Sequence, residues 1–384
     1  MLSIFFWICV VGVVTPYAIY PVWLYALSRL RRVIVPGTAV LPVTFVVSAY
    51  NEADVIAEKI ENTLALDYPE ELLQIVVISD ESDDGTDEIV SSFEHIELIR
   101  QSPREGKSAG INASFKDFHG EIIVFSDANA IYDREAVTRL VRHFDDAKVG
   151  YVVGRQLYRA GDGAAQASEN TYWDFELKLK SWESRLSSVV GGDGAIMAMR
   201  RELFSPLRKD DINDFVLPLR IVTAGYHGRF EPQAICYEEA APSFRGEFRR
   251  KVRIVNRSLR AVSRVPGALN PFKVGIFSGQ LFCHKVVRWF AAYFMLGALI
   301  TSGFLAVNGA WLYLLLFVMQ CGGYAMALAA RWTPLGRFKP AMLLYYFCLA
   351  NFAGGLGVLN FLLGRKFITW TPQRDADSET KQVV

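Results

Sequence analysis

Long apolar stretches at both ends constrain this chain more than any other feature of its sequence. The first runs from Leu2 to Leu27 without a charged side chain. The later ones lie at about Trp289–Val307, Trp311–Ala330 and Ala341–Leu363. A helix needs about 20 mostly apolar residues to cross a bilayer core of roughly 30 Å. We therefore predict an N-terminal transmembrane anchor at residues 1–28 and a C-terminal membrane region of two or three spans at residues 289–364.

The charges beside these stretches predict an orientation. Arg29, Arg31 and Arg32 follow the first stretch and no Lys or Arg precedes it, whereas a cleavable signal peptide has basic residues first and a shorter apolar region. The positive-inside rule then places the middle of the chain in the cytoplasm, as in a multi-pass protein of the cell (inner) membrane. The side of the membrane on which the C-terminus lies stays open. Three full spans would put Arg365 and Lys366 outside, against the charge bias, and otherwise one stretch is re-entrant or interfacial.

Composition excludes two classes of function. The formal net charge is only +1, which argues against a general nucleic-acid binder. The five cysteines are scattered without C-x-x-C spacing, so neither a zinc site nor a disulfide framework is indicated. We expect the charged tail at residues 372–384 to be disordered.

The region between the apolar ends alternates predicted strands with helices. The strands are predicted at residues 42–49, 74–79, 95–100 and 121–126, and the helices from Ala53, about Thr86, after Gly106 and from about Arg134. Such alternation predicts an α/β domain with a mostly parallel sheet and helices on both faces.

Polar clusters follow three of these strands, at Ser48–Glu52, Ser79–Thr86 and Ser126–Asn129. Each has a structural explanation as a helix cap, which we favour for Asp83, Asp84 and Thr86. However, the carboxyl ends of parallel strands share one edge of a sheet, and ligands of open α/β sheets bind there. Three clusters at one edge therefore indicate one binding site.

The chemistry that suits this edge is nucleotide-sugar recognition. Asp80 can accept hydrogen bonds from a base or ribose, and Ala49 and Tyr50 can line the base. Asp127 and Asn129 offer oxygen ligands to a divalent cation on the substrate diphosphate. Such a cation would neutralise the leaving nucleoside diphosphate.

Taken together, the order and spacing of these segments resemble the membrane-integrated branch of the family-2 inverting glycosyltransferases, which have the GT-A fold and include polysaccharide synthases and lipid glycosyltransferases. The matching segments span about residues 40–265, and we assign residues 33–265 to the glycosyltransferase domain. They are Ser48–Glu52, Ser79–Thr86, Arg104–Lys107, Ser126–Asn129, Gly191–Arg200 and Asp211–Arg220. The resemblance implies a GT-A-type, Rossmann-like domain flanked by transmembrane helices.

The resemblance also implies roles for single residues. The donor-binding residues would be Ala49, Tyr50, Glu52, Asp80, Lys107, Asp127 and Arg253. Asp127 and Asn129 would hold Mg²⁺ or Mn²⁺ as the D-x-D element, although Asn129 stands where the family has a second acid. Asp214 would be the catalytic base, with Asn213 in place of the usual acid before it. The alternative for Asp214 is an N-cap of the following helix.

Two further segments have both a functional and a structural interpretation. Gly192, Asp193 and Gly194 would line the acceptor side, or form an ordinary turn. Residues 245–288 are predicted as basic interfacial helices. In them Arg253 matches the arginine of the Q-x-x-R-W motif of processive synthases, whereas Arg250 and Ile254 replace its Gln and Trp. For Arg249, Arg257 and Arg260, contact with anionic headgroups is the competing interpretation.

The leading hypothesis is a membrane glycosyltransferase that transfers a sugar from a nucleoside-diphosphate sugar to a lipid-linked or growing glycan acceptor. The product would belong to a cell-surface glycan or an exopolysaccharide. Expected partners are the donor, the acceptor, membrane lipids and other polysaccharide assembly proteins, and not nucleic acid. One alternative is a processive exopolysaccharide synthase. The other is a non-catalytic nucleotide-sugar-binding scaffold of an assembly complex.

Overall fold

The computed structural model describes residues 1–158, 164–239 and 244–367, and the side chains of residues 164–172 lie outside that description. The strands are β1 (Val43–Ala49), β2 (Leu73–Asp80), β3 (Ile96–Gln101), β4 (Ile122–Asp127), β5 (Ile131–Tyr132), β6 (Val149–Tyr158), β7 (Met197–Arg200) and β8 (His227–Glu238). The four strands predicted from sequence are β1 to β4, which agree with the prediction to within about two residues at each end. The tail predicted as disordered lies outside the described residues.

The helices run from end to end of the chain. They are α1 (Leu2–Val14), α2 (Tyr20–Arg29), α3 (Ala53–Leu64), α4 (Thr86–Ser91), α5 (Lys107–Ser114), α6 (Ala136–Val141), α7 (Ala164–Leu186), α8 (Asn213–Thr223), α9 (Phe244–Arg264), α10 (Pro271–Val274), α11 (Ile276–Leu281), α12 (Val287–Trp289), α13 (Ala291–Val307), α14 (Trp311–Trp332) and α15 (Lys339–Leu362). A π-helical turn, Thr15–Ile19, joins α1 to α2, and a second, Phe282–Val286, joins α11 to α12.

One eight-stranded sheet forms the centre of the domain, in the order β3-β2-β1-β4-β7-β6-β8-β5. The strands β3, β2, β1 and β4 are parallel, and so are β6 and β8, while β7 runs antiparallel to β4 and β6. The sheet is therefore mostly parallel, which confirms the predicted α/β class.

Alternate side chains of the central strands enter two hydrophobic cores. Phe45 and Val47 of β1 pack on the face covered by α3 and α6, whereas Val46 packs on the opposite face with residues of α5, α8 and α9. Burial on both faces explains why the strands appear in sequence as continuous apolar runs.

The register of β1 with its neighbours assembles the predicted edge. Ala49 at the end of β1 pairs with Ser79 of β2, and Ser48 pairs with Asp127 at the end of β4. The polar clusters that follow these strands therefore meet. Asp83 and Asp84 serve the structure here, because Asp84 accepts a hydrogen bond from the backbone N–H of Ala53 at the start of α3 and Asp83 accepts one from the Asn51 side chain.

Within the described residues, three helices are long and apolar enough to cross a membrane: Leu2–Arg29, α14 and α15. A fourth candidate is the pair Ile276–Trp289 and α13, which is bent by 58°. Helix α9 lies against α15, where a Cβ on Gly357 would come within 2.8 Å of the Val252 carbonyl oxygen. Small residues permit such close helix packing.

The basic helix α9 is enclosed more than its sequence predicted. Arg257 donates hydrogen bonds to the carbonyl oxygens of Asp210 and Asp211, and Arg260 donates one to the carbonyl oxygen of Arg365. Arg249 is exposed. Of the three arginines with a headgroup interpretation, Arg257 and Arg260 thus face protein groups.

Candidate active site

A cavity of about 600 Å³ lies at the carboxyl ends of β1, β2 and β4. Its size is typical of small-molecule sites. Every site residue predicted from sequence lines it: Ala49, Tyr50, Glu52, Asp80, Lys107, Asp127, Asn129, Gly192, Asp193, Gly194, Asp214 and Arg253. Residues more than 200 positions apart in the sequence thus share one space.

The Asp80 carboxylate organises the loop between β3 and α5. It accepts hydrogen bonds from the backbone N–H of Glu105 at 3.0 Å, from that of Gly106, and from the Gln101 side chain. The guanidinium of Arg104 in the same loop lies 3.3 Å from the ring centroid of Tyr50. Asp80 therefore holds one wall of the cavity in place, with Tyr50 as a planar surface beside it.

Asp127 and Lys107 form an ion pair on the floor of the cavity. The Lys107 ammonium lies 2.5 Å from Asp127 Oδ1, and the Asp127 side chain keeps 39% of its surface exposed. Asn129 lines the same space two residues further on. Among the described residues, no group of three or more His, Cys, Asp and Glu side chains is placed to hold a metal ion alone. One carboxylate and a neighbouring amide oxygen do fit a magnesium-type site, because such sites take most of their oxygen ligands from substrate phosphates and water.

Asp214 lies in the first turn of α8 with its side chain turned towards the cavity. Its Oδ1 is buried and makes no hydrogen bond within the described part of the chain, and α8 has no side-chain cap. The N-cap interpretation of Asp214 therefore has no supporting hydrogen bond. Burial, together with the nearby Asp193 and Asp127 carboxylates, raises the pKa of Asp214 to about 6, and Lys107 partly opposes this rise. A carboxyl group with a pKa near 6 suits a general base at neutral pH.

The glycine-rich segment after β6 and α7 approaches both acids. A Cβ on Gly194 would lie 3.4 Å from Oδ2 of Asp127 and 3.4 Å from Oδ2 of Asp214. A side chain at this position would therefore contact both carboxylates. Asp193 lines the cavity, but its carboxylate already pairs with Lys180 at 3.0 Å and accepts from the backbone N–H of Ala195.

Arg253 of α9 faces the cavity and forms no ion pair or hydrogen bond with another described residue. Burial lowers its pKa to about 10, and the neighbouring Arg257 and Arg250 contribute to the shift. The guanidinium is therefore available to an anionic ligand. Ile254 lines the cavity beside it, at the position where the Q-x-x-R-W motif has a Trp.

Sequence reasoning missed Glu238 at the end of β8. This buried side chain accepts a hydrogen bond from Gln156 Nε2 through Oε2, while Oε1 is buried without a partner in the described residues. Burial and the charges of Asp127 and Asp193 raise the pKa of Glu238 to about 8. The local signal is short, because Glu238 ends the apolar run Ala234–Tyr237, and that run does not show where the strand lies in the sheet.

Comparison with known proteins shows which proteins this chain is similar to. Residues 44–208 match the family described as Glycosyl transferase family 2. The chain is 28% identical over 228 residues to "Probable glycosyltransferase YdaM" of Bacillus subtilis, covering 55% of this chain and 54% of that protein. It is 26% identical over 222 residues to the poly-beta-1,6-N-acetyl-D-glucosamine synthase of Staphylococcus aureus (strain MW2), covering 55% of this chain and 53% of that protein. The chain therefore spans about half the length of the curated relatives it matches.

A solved structure extends the likeness to almost the whole chain. The mannosyltransferase PcManGT from Pyrobaculum calidifontis, in complex with GDP-Man and Mn²⁺, matches with a TM-score of 0.74 and 22% identity, over 95% of this chain and 100% of that one. This likeness shows the fold, and the α/β domain is GT-A-like as the sequence predicts.

Proposed function

From the premise that residues 44–208 form a family-2 glycosyltransferase domain, we propose that the chain is a membrane glycosyltransferase. It transfers a sugar from a nucleoside-diphosphate sugar to a lipid-linked or growing glycan acceptor, with inversion, for cell-surface glycan or exopolysaccharide synthesis. The observation that carries this proposal is the proximity of both Asp127 and Asp214 to Gly194, with each Oδ2 3.4 Å from a Cβ built there. Asp127 would act at the diphosphate and Asp214 at the acceptor hydroxyl.

The donor would bind across the strand ends. Asp80 and Tyr50 form the wall for the nucleoside, and the diphosphate lies between Lys107 and Arg253, whose charges oppose its own. Asp127 and Asn129 would hold Mg²⁺ or Mn²⁺, which when bound neutralises charge on the departing diphosphate. The complex of the similar mannosyltransferase with GDP-Man and Mn²⁺ supports both a nucleotide-sugar donor and a divalent metal.

Asp214 would supply the base. Its unpartnered Oδ1 accepts the proton of the acceptor hydroxyl as the hydroxyl oxygen attacks the anomeric carbon. The new bond forms on the face opposite the diphosphate, the bond between the anomeric carbon and the phosphate oxygen breaks, and the nucleoside diphosphate leaves with the electron pair. Attack from the opposite face inverts the anomeric configuration. The Lys107 ammonium would offset part of the negative charge of the diphosphate and of Asp214.

The candidate spans support a multi-pass protein of the cell (inner) membrane. The arginines that follow the first span, Arg29, Arg31 and Arg32, support a glycosyltransferase domain in the cytoplasm. The domain would then face the compartment that contains nucleotide sugars.

A processive synthase is the second candidate, supported by the likeness to the staphylococcal poly-N-acetylglucosamine synthase. Ile254 argues against it, because an aliphatic side chain gives a pyranose ring no aromatic surface to stack on. A non-catalytic scaffold would have no use for an Asp214 carboxylate whose buried Oδ1 makes no hydrogen bond with another described residue.

A donor screen with the purified full chain tests the proposal. Nucleoside diphosphate release is measured with each common nucleoside-diphosphate sugar and Mg²⁺ or Mn²⁺, with and without a polyprenyl phosphate or glycan acceptor. We expect release with one donor, dependent on metal and faster with acceptor. Binding of a donor without release under any of these conditions would favour the scaffold.

A further inference from the structure

Helix α3 contacts the turn that carries the candidate metal ligands. The turn comprises residues 127–130 and is closed by a hydrogen bond of 3.2 Å from the backbone N–H of Ala130 to the carbonyl oxygen of Asp127. Asp127 and Asn129 line the cavity, whereas Ala128 and Ala130 are buried in the core that α3 covers. The way in which this turn is held therefore decides which of its side chains face the cavity.

Lys59 and Asn62 of α3 hold the turn and the residues after it. The Lys59 ammonium donates a hydrogen bond of 2.5 Å to the carbonyl oxygen of Ala130. The Asn62 side chain donates one to the carbonyl oxygen of Tyr132 at 2.9 Å and accepts one from the backbone N–H of Tyr132 at 2.8 Å. The helix thus fixes three backbone groups at the C-terminal end of the turn.

Packing alone does not explain a lysine at position 59. Its side chain is fully buried, and no carboxylate in the described part of the chain forms an ion pair with it. The ammonium lies 4.2 Å from the ring centroid of Tyr132 and 4.9 Å from that of Phe45. Burial lowers the pKa of Lys59 to about 7, while Cys236 and Asp127 favour its charged form. An apolar side chain would fill the same space without the cost of burying an amino group.

The Tyr132 ring beside Lys59 is itself held in place. Its hydroxyl donates a hydrogen bond of 2.7 Å to the carbonyl oxygen of Ala195, the residue after Gly194 in the acceptor segment. Asn62 binds the Tyr132 backbone at the other end. The ring therefore has no free end with which to follow a movement of the turn, and the support around Lys59 is rigid.

We propose that Lys59 and Asn62 are positioning residues of the metal site, which hold turn 127–130 so that its two candidate ligands face the divalent cation together. The inference rests on the proposed function and specifies how the chain orients the metal ligands. Neither residue lines the cavity, so both act through the backbone of the turn. Without Lys59 the buried carbonyl group of Ala130 loses its donor, and a turn that rotates towards another donor moves both ligands.

Binding of Mn²⁺ to the full chain in detergent tests this proposal. The electron paramagnetic resonance signal of free Mn²⁺ gives the unbound concentration during a titration. We expect Lys59→Met and Asn62→Ala each to weaken Mn²⁺ binding by about tenfold, since loss of the groups that orient metal ligands costs about 10–100-fold in affinity. Asn62 is half-buried, so Asn62→Ala carries the test if Lys59→Met does not fold.

The sign of the effect in Lys59→Met separates position from charge. Removal of a positive charge near Asp127 favours a cation, so a role through charge alone predicts tighter Mn²⁺ binding. Release of the turn predicts weaker binding. Unchanged or tighter binding in either folded variant would overturn the proposal for that residue.

The matched control is Thr63→Val, which exchanges a buried hydroxyl group of the same helix for a methyl group. The Thr63 hydroxyl donates to the carbonyl oxygen of Lys59, a hydrogen bond that stays within α3. This variant should bind Mn²⁺ like the wild type. Equal weakening in Thr63→Val would assign the effect to the stability of α3 and overturn the proposal.

Transfer kinetics supply a readout that a purely structural role does not change. A smaller folded fraction lowers the maximal rate but not the Mn²⁺ concentration that gives half of it, whereas a displaced turn raises that concentration. We expect Lys59→Met to need about tenfold more Mn²⁺ and to recover most of its turnover at saturating metal. Low turnover with the Mn²⁺ dependence of the wild type would contradict the role of Lys59.

The wild-type titration separates failure of this inference from failure of the proposed function. A wild-type chain that binds no Mn²⁺ would overturn the inference together with the proposed metal site. Equal Mn²⁺ binding by the wild type and all three variants would overturn the inference alone and leave the proposed function intact.

Discussion

The backbone N–H of Gly192 donates a hydrogen bond to the backbone carbonyl of Asp214, with an N···O distance of 2.5 Å. This contact joins the glycine-rich acceptor segment to the first turn of α8. A Cβ on Gly192 would lie 2.6 Å from that carbonyl oxygen and 2.3 Å from the Met197 sulfur. The position of the proposed base therefore depends on the absence of a side chain at residue 192.

Gly192→Ala should displace Asp214 and lower both stability and turnover. Overpacking a buried site costs about 1–3 kcal/mol. A misplacement of about 1 Å at a reacting group can cost about 10²-fold in rate. Thermal unfolding in detergent and nucleoside diphosphate release measure the two effects.

Gly279→Ala is the matched control, because no atom lies within 4 Å of a Cβ built on that glycine of α11. It should unfold at the wild-type temperature or above it, since alanine in a helix is favoured over glycine by about 0.5–1 kcal/mol. If Gly192→Ala and Gly279→Ala had the same unfolding temperature and the same turnover, crowding at Gly192 would affect neither stability nor the position of Asp214.

Asp214→Asn should lower turnover by about 10²–10⁴-fold while donor affinity stays near that of the wild type, because only the proton acceptor is lost. Steady-state kinetics and donor titration separate the two quantities. Asp84→Asn changes a carboxylate at the same edge that serves the α3 N-terminus, and it should cost a few tenths of a kcal/mol with little kinetic effect. Wild-type turnover in Asp214→Asn would leave the base unidentified.

Chelation of divalent metal should abolish transfer, and Asp127→Ala should do the same in a protein that still unfolds cooperatively. Asp127 offers the only carboxylate of the D-x-D element, so its loss leaves the cation without a charged protein ligand. Asn129→Asp should bind metal as tightly as the wild type or more tightly. Full activity in metal-free buffer would exclude Asp127 as a metal ligand in the reaction.

Transfer should fail as the pH falls, because Asp214 acts only as the carboxylate. Its pKa of about 6 in the metal-free chain places the acid limb of kcat/KM at or below that pH, since a cation beside Asp127 favours the ionised form of Asp214. Below the limb the rate drops about tenfold per pH unit. Asp214→Asn should lack this limb. A limb that persists in that variant would belong to another group.

Cysteine labelling tests the orientation. Ser91 is exposed at the end of α4, so Ser91→Cys should react readily in opened cells and fail to react with an impermeant reagent in intact cells. The arginines that follow the first span predict this result. Efficient labelling in intact cells would place the domain away from nucleotide sugars.

The accuracy of the sequence predictions follows from the range of the interactions involved. The ends of β1, β2 and β4 were predictable because burial on both faces leaves an unbroken apolar run, and parallel pairing then brings Asp80 and Asp127 to one edge. The position of Glu238 in the cavity was not predictable, because it requires β8 to lie beside β6 in a sheet whose strand order departs from the chain order.

The sequence by itself therefore determined the α/β class, the candidate spans and a set of residues that line one cavity, since hydrophobic periodicity and strand ends are local properties. Only the tertiary structure decided what those residues contact. It paired Asp193 with Lys180, turned Arg257 towards backbone carbonyl groups, and gave Glu176 partners more than 100 positions away. Charge balance and burial depend on segments that are distant along the chain, and these two quantities separate an acid that stabilises the fold from one available for chemistry.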